Sequence, residues 1–395
     1  MVNDNLQNLM REATHLTQAG RLSEATAIIQ RALRGENPAE PPLNPDATST
    51  STHADTSSMV LDGCVFEVPG SAAADALEPK QSKQSPTPDA VTFKAPASLG
   101  EFVSGSHTHA GLTRRYKLYT PPGPSDQLRP LVVMLHGCTQ NPDDFAAGTA
   151  MNERARAQGF FVLYPEQSKE ANAHLCWNWF KHNHQQRGKG EPALIADMTQ
   201  RIVKLHGIDT QRVYIAGLSA GAAMASLVGQ AYREIFAAVG VHSGLPDGVA
   251  HNAQQAFALM KDGASSQRMP VSANSARHRP MPTIVFHGDQ DKTVNPVNGE
   301  QVIATVLAKL ANSGHAVVTA PAHIEQGQTP NGRRYTRSTH HDDKGKIIAE
   351  HWLVHGAGHA WSGGGAKGSY TDPKGPDATG EILRFFFEHP LDLLT

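Results

Sequence analysis

Downstream of residue 95, short and almost wholly apolar runs alternate with polar, glycine-rich turns and longer amphipathic stretches. Residues 131–135 (LVVML) and 213–216 (VYIA) are too short for helices and lack polar alternation. Each therefore reads as a buried strand, the first central and covered on both faces. Residues 282–286 and 350–354 read as later strands, 115–119 as an opening strand and 381–387 as a closing helix. Strands alternating with helical stretches predict an α/β chain with a mostly parallel central sheet and helices on both of its faces.

The upstream region is patterned differently. Leu6, Leu9, Ala13 and Leu16 mark one apolar stripe at helical spacing, and Ala25, Ile28, Ile29, Ala32 and Leu33 mark another. Gly20 ends the first helix, Ser23 can cap the second and Gly35 stops it. Such a hairpin cannot bury its own stripes and needs another surface. Residues 36–95 are rich in Pro, Ser, Thr, Ala and Asp, with one apolar patch at Cys64, Val65 and Phe66. That is too little apolar area to offset ordering entropy, so the segment reads as a disordered linker. The expected division is a hairpin over 1–35, a linker over 36–95 and an α/β domain over 96–395. A further polar stretch at 264–279 reads as a surface insertion.

The run at 213–216 leads into Gly217-Leu218-Ser219-Ala220-Gly221, a G-x-S-x-G pentapeptide, and then an Ala-rich helix start. Strand, small-residue turn and helix are the context of a nucleophile elbow, which exposes the serine Oγ above the sheet edge. The helix that follows points its N–H groups and positive dipole end at the place where an oxyanion would form. In α/β-hydrolases an acid and then a histidine follow the serine in the chain. The strand at 282–286 runs into His287-Gly288-Asp289-Gln290-Asp291, where H-G-x-x-D assigns the acid to Asp291. Asp289 is expected to cap the turn through its own backbone. The strand at 350–354 runs into a small-residue loop carrying His359, which is selected by its position among 21 histidines. His355 and His351 read as packed or solvated. Residues 131–135 end in His136-Gly137-Cys138, so the oxyanion donors fall on the N–H groups of Cys138 and Ala220.

These residues resemble the polyhydroxybutyrate depolymerase family of esterases, which also includes feruloyl and acetylxylan esterases. The resemblance rests on residues 135–140 (LHGCTQ), 163–167 (LYPEQ), 176–180 (CWNWF), 217–221 (GLSAG) and 358–361 (GHAW) and extends over about 95–390. It implies an α/β-hydrolase fold, no cofactor and a Ser219, Asp291, His359 triad, in agreement with the order of motifs. Its substrates would be esters or polyesters, hydroxybutyrate oligoesters first, with feruloyl or acetylxylan esters as the alternative. Non-catalytic granule-binding or scaffold roles, and a serine peptidase or acyltransferase activity, are the other classes considered.

The remaining features refine this reading. No basic, apolar leader is visible at the N-terminus, which points to a cytoplasmic enzyme; extracellular placement is the alternative. The chain ends at Thr395 without room for a polymer-binding module, which argues against attack on crystalline polymer. The N-terminal hairpin offers a surface for a granule, a protein or a second copy. Cys138 and Cys176 lie in segments that flank the site and read equally as a disulfide or as two reduced thiols; Cys64 reads as unpaired. Trp177, Trp179 and Trp361 are candidates for an aromatic substrate wall, or else core residues. His340-His341-Asp342-Asp343 reads as a solvated turn, not a metal site. The glycine run 363–365 reads as a flexible loop, without the lysine of a phosphate-binding loop. A net charge of −2 gives no reason to expect nucleic acid or an anionic membrane surface. No apolar stretch approaches the roughly 18 residues that would suggest a membrane span.

Overall fold

Side-chain alternation sorts each inner strand between two cores. In β3 (Arg129–Leu135), Leu131, Val133 and Leu135 join one apolar cluster and Val132 and Met134 the other. All five are fully buried, as expected of a strand sandwiched between helical layers. The computed structural model describes residues 99–124, 127–264, 281–312, 323–330 and 332–392. The expected hairpin, the linker and nearly all of the 264–279 insertion lie outside the described residues.

The other strands are β1 (Glu101–His109), β2 (Leu112–Thr120), β4 (Phe161–Pro165), β5 (Ile208–Leu218), β6 (Val239–His242), β7 (Thr283–Gly288), β8 (His323–Gln328), β9 (Arg334–His341) and β10 (Ile347–Val354). They form one ten-stranded sheet in the order β1-β2-β4-β3-β5-β6-β7-β10-β9-β8. The six inner strands from β4 to β10 run parallel. An antiparallel pair extends each side: β1 and β2 beyond β4, β9 and β8 beyond β10. Asp342 accepts from the N–H groups of Lys344 and Lys346 and so closes the turn between β9 and β10.

Helices cover both faces. The first core takes α3 (Gly190–His206), α4 (Ala220–Ala231), α5 (Ala253–Asp262) and α6 (Val297–Asn312). The second takes α1 (Pro142–Thr149), α2 (Met151–Gln158) and α7 (Ala378–Phe387). Asn141 and Asp377 cap α1 and α7 through their side chains. The apolar stripe of α7 seats Phe386 flat on Tyr214 of β5, with ring centroids 4.9 Å apart. No helix among the described residues is long and apolar enough to cross a membrane.

Phe386 fixes α7 on the strand that leads to Ser219. Phe386→Ala is expected to lower stability by about 3–5 kcal/mol, the usual cost of deleting a fully buried aromatic ring. Urea denaturation followed by fluorescence measures it.

Candidate active site

Strand β5 ends at Leu218 and α4 begins at Ala220, so Ser219 alone makes the turn. Its backbone holds φ 58° and ψ −121°, a conformation that costs a non-glycine residue about 1–3 kcal/mol. The Ser219 N–H donates to the carbonyl of His242 at the end of β6 (2.9 Å), and its own carbonyl accepts from Ala223 (3.0 Å). A Cβ on Gly221 would press into the carbonyl oxygens of Leu135 and His136, and one on Gly217 into the backbone of Gly221. Glycine is required at both positions for that reason. Ser219 keeps 8% exposure and lines a cavity.

Asp291 and His359 meet because β7 and β10 are parallel neighbours whose following loops run side by side. Oδ1 of Asp291 accepts from the N–H groups of Thr293 and Val294, each at 2.9 Å. Oδ2 accepts from Nδ1–H of His359 at 2.6 Å and lies 3.4 Å from Nε2 of His287. Burial alone would raise the Asp291 carboxyl, but hydrogen bonds from His287, His359 and Val294 hold it well below the usual carboxylate range. With Nδ1 committed to Asp291, His359 has only Nε2 left for proton transfer.

Asp289 does not cap its own turn as expected. Its carboxylate crosses to the loop after β10 and accepts from Nδ1 of His355 (3.0 Å) and the N–H of Gly356 (2.7 Å). It thereby fastens the base of the loop that carries His359.

The loop after β3 is tied down on every side. Gly137 N–H donates to Oε1 of Gln140 (3.0 Å), Thr139 N–H to the His174 carbonyl (2.8 Å) and Gln140 N–H to the Gly137 carbonyl (3.3 Å). Cys138 carries the one N–H of residues 137–140 without such a partner among the described residues. The Ala220 N–H opens α4, outside the intrahelical ladder and at the positive end of its dipole. Cys138 and Cys176 are joined by a disulfide, which anchors the first loop to the CWNWF segment.

A buried carboxylate anchors that segment in turn. Glu191, fully buried, accepts from Arg114 (3.1 Å), Gln167 (2.6 Å), and the backbone and side-chain amides of Asn178 (2.8 and 2.9 Å). Burial would raise Glu191, yet His184, Gln167 and the Asn178 N–H hold it at about 2. Gln140, Glu191 and the strand-end His242 were not singled out by the sequence. Each is an ordinary polar residue whose role depends on contacts distant in the chain, as between Glu191 and Asn178, Gln140 and Ser369, or His242 and Ser362.

Of the three tryptophans, only Trp179 reaches the cavity, which has a volume of about 450 Å³. Trp177 is fully buried beside His136, with ring centroids 5.7 Å apart. Trp361 turns into the second core, where its indole N–H donates to Thr379 Oγ1 at 3.0 Å. Both are therefore core residues and not parts of a substrate wall. Phe180, Leu245, Phe257, Met260 and Val294 line the cavity instead. Phe257 stands on α5 with 71% exposure at its edge.

The ten-stranded sheet and the strained strand–serine–helix turn define an α/β-hydrolase. The family model described as "Esterase PHB depolymerase" matches residues 114–322, and the chain belongs to that family. It is 33% identical over 229 residues to a poly(3-hydroxyalkanoate) depolymerase C of Paucimonas lemoignei, covering 54% of each chain. It is 28% identical over 195 residues to a feruloyl esterase B of Thermothelomyces thermophilus, covering 46% of this chain and 66% of that one. An acetyl xylan esterase from Aspergillus awamori shares the fold, with a TM-score of 0.52, 18% identity and coverage of 70% of this chain and 94% of that one. The chain spans about half the length of the curated depolymerases it matches, 54% and 51%.

Behind Ser219, His242 stacks on Trp361 (ring centroids 4.9 Å) and accepts from the Ser362 N–H at 2.9 Å. Burial, followed by the neighbouring His287 and His359, pushes His242 down to about 3. Burial pushes His351 down to about 4. Both are neutral when folded, whereas an unfolded histidine takes a proton near pH 6.5. Below that pH the unfolded chain binds more protons, so stability falls with pH from about 6.5 until the folded values are reached. Each such histidine contributes a slope of up to about 1.4 kcal/mol per pH unit in that window. Unfolding free energies from urea titrations at pH 7, 6 and 5 are expected to fall stepwise.

Proposed function

We propose that this chain is a serine esterase that cleaves apolar carboxylic esters through an acyl-enzyme, with hydroxyalkanoate oligoesters as its substrate class. The observation that carries the proposal is Ser219, held in a strained elbow on the wall of an apolar cavity. His359 Nε2 takes the Ser219 proton as Oγ attacks the ester carbonyl. Asp291, ionised and bonded to Nδ1, fixes the tautomer and stabilises the imidazolium. The N–H groups of Cys138 and Ala220 hold the tetrahedral oxyanion, each donor worth about 3 kcal/mol of barrier. The alcohol leaves with the proton from His359, and water then repeats the sequence on the acyl-enzyme.

The described residues lining the cavity include no Asp, Glu, Lys or Arg, which favours an uncharged acyl group. Kinship with a poly(3-hydroxyalkanoate) depolymerase supports a hydroxyacyl chain. Trp179, Phe180 and Phe257 around the same cavity support a second reading, a planar aryl acyl group of the feruloyl kind. We place the chemistry in residues 96–395, because every proposed site residue lies beyond residue 130, and leave any granule or self-association to residues 1–35. The Cys138–Cys176 disulfide supports an oxidising, extracellular setting over the cytoplasmic one, since such bonds are rare in the cytosol.

Ser219→Ala is expected to fold normally and lose about four to six orders of magnitude in p-nitrophenyl butyrate turnover. Residual labelling by a fluorophosphonate at the wild-type rate would overturn the assignment and favour a binding protein on a hydrolase scaffold. Turnover of 3-hydroxybutyrate trimer, methyl ferulate and acetylated xylan, measured side by side, decides the acyl class. Asp291→Asn is expected to cost about 10⁴-fold through loss of the correct tautomer. Asp289→Asn, which only loosens the loop base, is expected to cost far less, and the reverse order would exchange their roles. Unfolded without reductant, the protein is expected to titrate one thiol of its three cysteines, that of Cys64.

A further inference from the structure

Behind the proposed triad lies a second layer of histidine. His287 is the last residue but one of β7, and its side chain has no exposure. Its Nε2 stands 2.9 Å from the carbonyl oxygen of Val294 and 3.4 Å from Oδ2 of Asp291. A carbonyl only accepts, so Nε2 carries the proton and is shared between the two oxygens. Nδ1 of His287 is then a bare acceptor, buried and without a protein partner among the described residues. One strand over, on β10, Nε2 of His351 is buried and equally without a partner among the described residues. Both nitrogens converge on the same place. A Cβ on Gly299, in the first turn of α6, would sit 3.0 Å from Nδ1 of His287 and 3.1 Å from Nε2 of His351. Only glycine leaves that corner open. Two buried ring nitrogens without partners, facing one point beside a glycine, is the setting in which buried water is retained.

We propose that one buried water bridges Nδ1 of His287 and Nε2 of His351 beside Gly299, and that it holds His287 as the neutral Nε2–H donor that positions Asp291. The water donates one proton to Nδ1, which keeps the His287 proton on Nε2, aimed at Oδ2. A neutral His287 donates a hydrogen bond without cancelling the carboxylate charge that His359 needs when it becomes imidazolium. A charged ring at the same place would neutralise Asp291 and weaken that pairing. Depression of His351 to about 4, by burial first, keeps the far end of the bridge neutral as well. His287 and His351 are thus positioning residues and touch no substrate. The inference rests on the assignment of Asp291 to the triad.

The test has a structural arm and a kinetic arm. A high-resolution crystal structure of the full chain is expected to show one ordered water within hydrogen-bond distance of both nitrogens. ¹⁵N-histidine NMR at pH 7 is expected to show His287 as the Nε2–H tautomer, with its Nδ1 signal shifted in His351→Leu. In the kinetic arm, His287→Gln keeps an N–H donor near the Nε2 position, whereas His287→Leu removes it. His287→Leu is expected to lower kcat for p-nitrophenyl butyrate about ten- to a hundredfold, the range for losing a hydrogen bond to a charged group. KM is expected to stay constant, and His287→Gln to recover most of the loss. A direct ring-to-ring contact without water, a protonated His287, or equal loss in the Leu and Gln variants would overturn the proposal. An enzyme inert toward every ester would instead sink the esterase assignment, while the water and tautomer would still be read from the wild-type protein.

Discussion

The close approach of α4 to the end of β3 is the constraint on which the rest depends. Gly221 brings the helix backbone against the carbonyl oxygens of Leu135 and His136. One contact therefore sets the distance between the two structures that would supply oxyanion donors. The same contact forces Ser219 into its strained turn, and that strain is held by β6 through the His242 carbonyl. The inner strands are parallel and in register, so their C-terminal ends, and the loops that follow them, collect on one edge. Ser219, Asp291 and His359 come from three such ends.

Loops alone would not hold atoms to the tolerance that proton transfer requires. Here the loops are cross-linked by buried polar groups and one covalent bond. Gln140 reaches Asp144 and the Ser369 carbonyl, joining the loop after β3 to the chain beyond His359. Glu191 gathers Arg114, Gln167 and Asn178 from β2, the segment after β4 and the CWNWF segment. An ionised group so deeply buried is tolerated because both of its oxygens have donors; removing one partner would leave the charge less compensated in the core. The disulfide adds a constraint that does not depend on hydration at all.

Much of this was legible in the sequence where one local rule governs the outcome. The inner strands announced themselves because burial on both faces demands continuous apolar runs, as at Leu131 to Leu135. The elbow was legible because sterics restrict Gly217 and Gly221. The outer strands were not: β1 and β8 lie at the edges, are largely exposed and read as polar segments. Asp289 was misread because its partners, His355 and Gly356, are 66 and 67 residues away. For Trp177 and Trp361 the sequence left the wall and the core both open, because chain position next to a proposed site loop does not set which way a side chain turns. That direction is decided by which core has room, and Trp361 fills the gap beside Phe145 and His242.

Histidine shows the same division between identity and environment. Four histidines in the loops and strand ends around the candidate site carry three different jobs with one side chain. His359 is only partly buried and bonded to a carboxylate, which suits the proton transfer proposed for it. His136 and His242 are buried among aromatic rings, are depressed by burial and serve as neutral hydrogen-bonding struts, His136 tying the loop after β3 to the Gln167 N–H. His355 sits partly exposed on Asp289 and pins a loop. Burial thus separates the ring proposed to transfer protons from the structural ones, because desolvation penalises the charged form that, in that role, only His359 would have to reach.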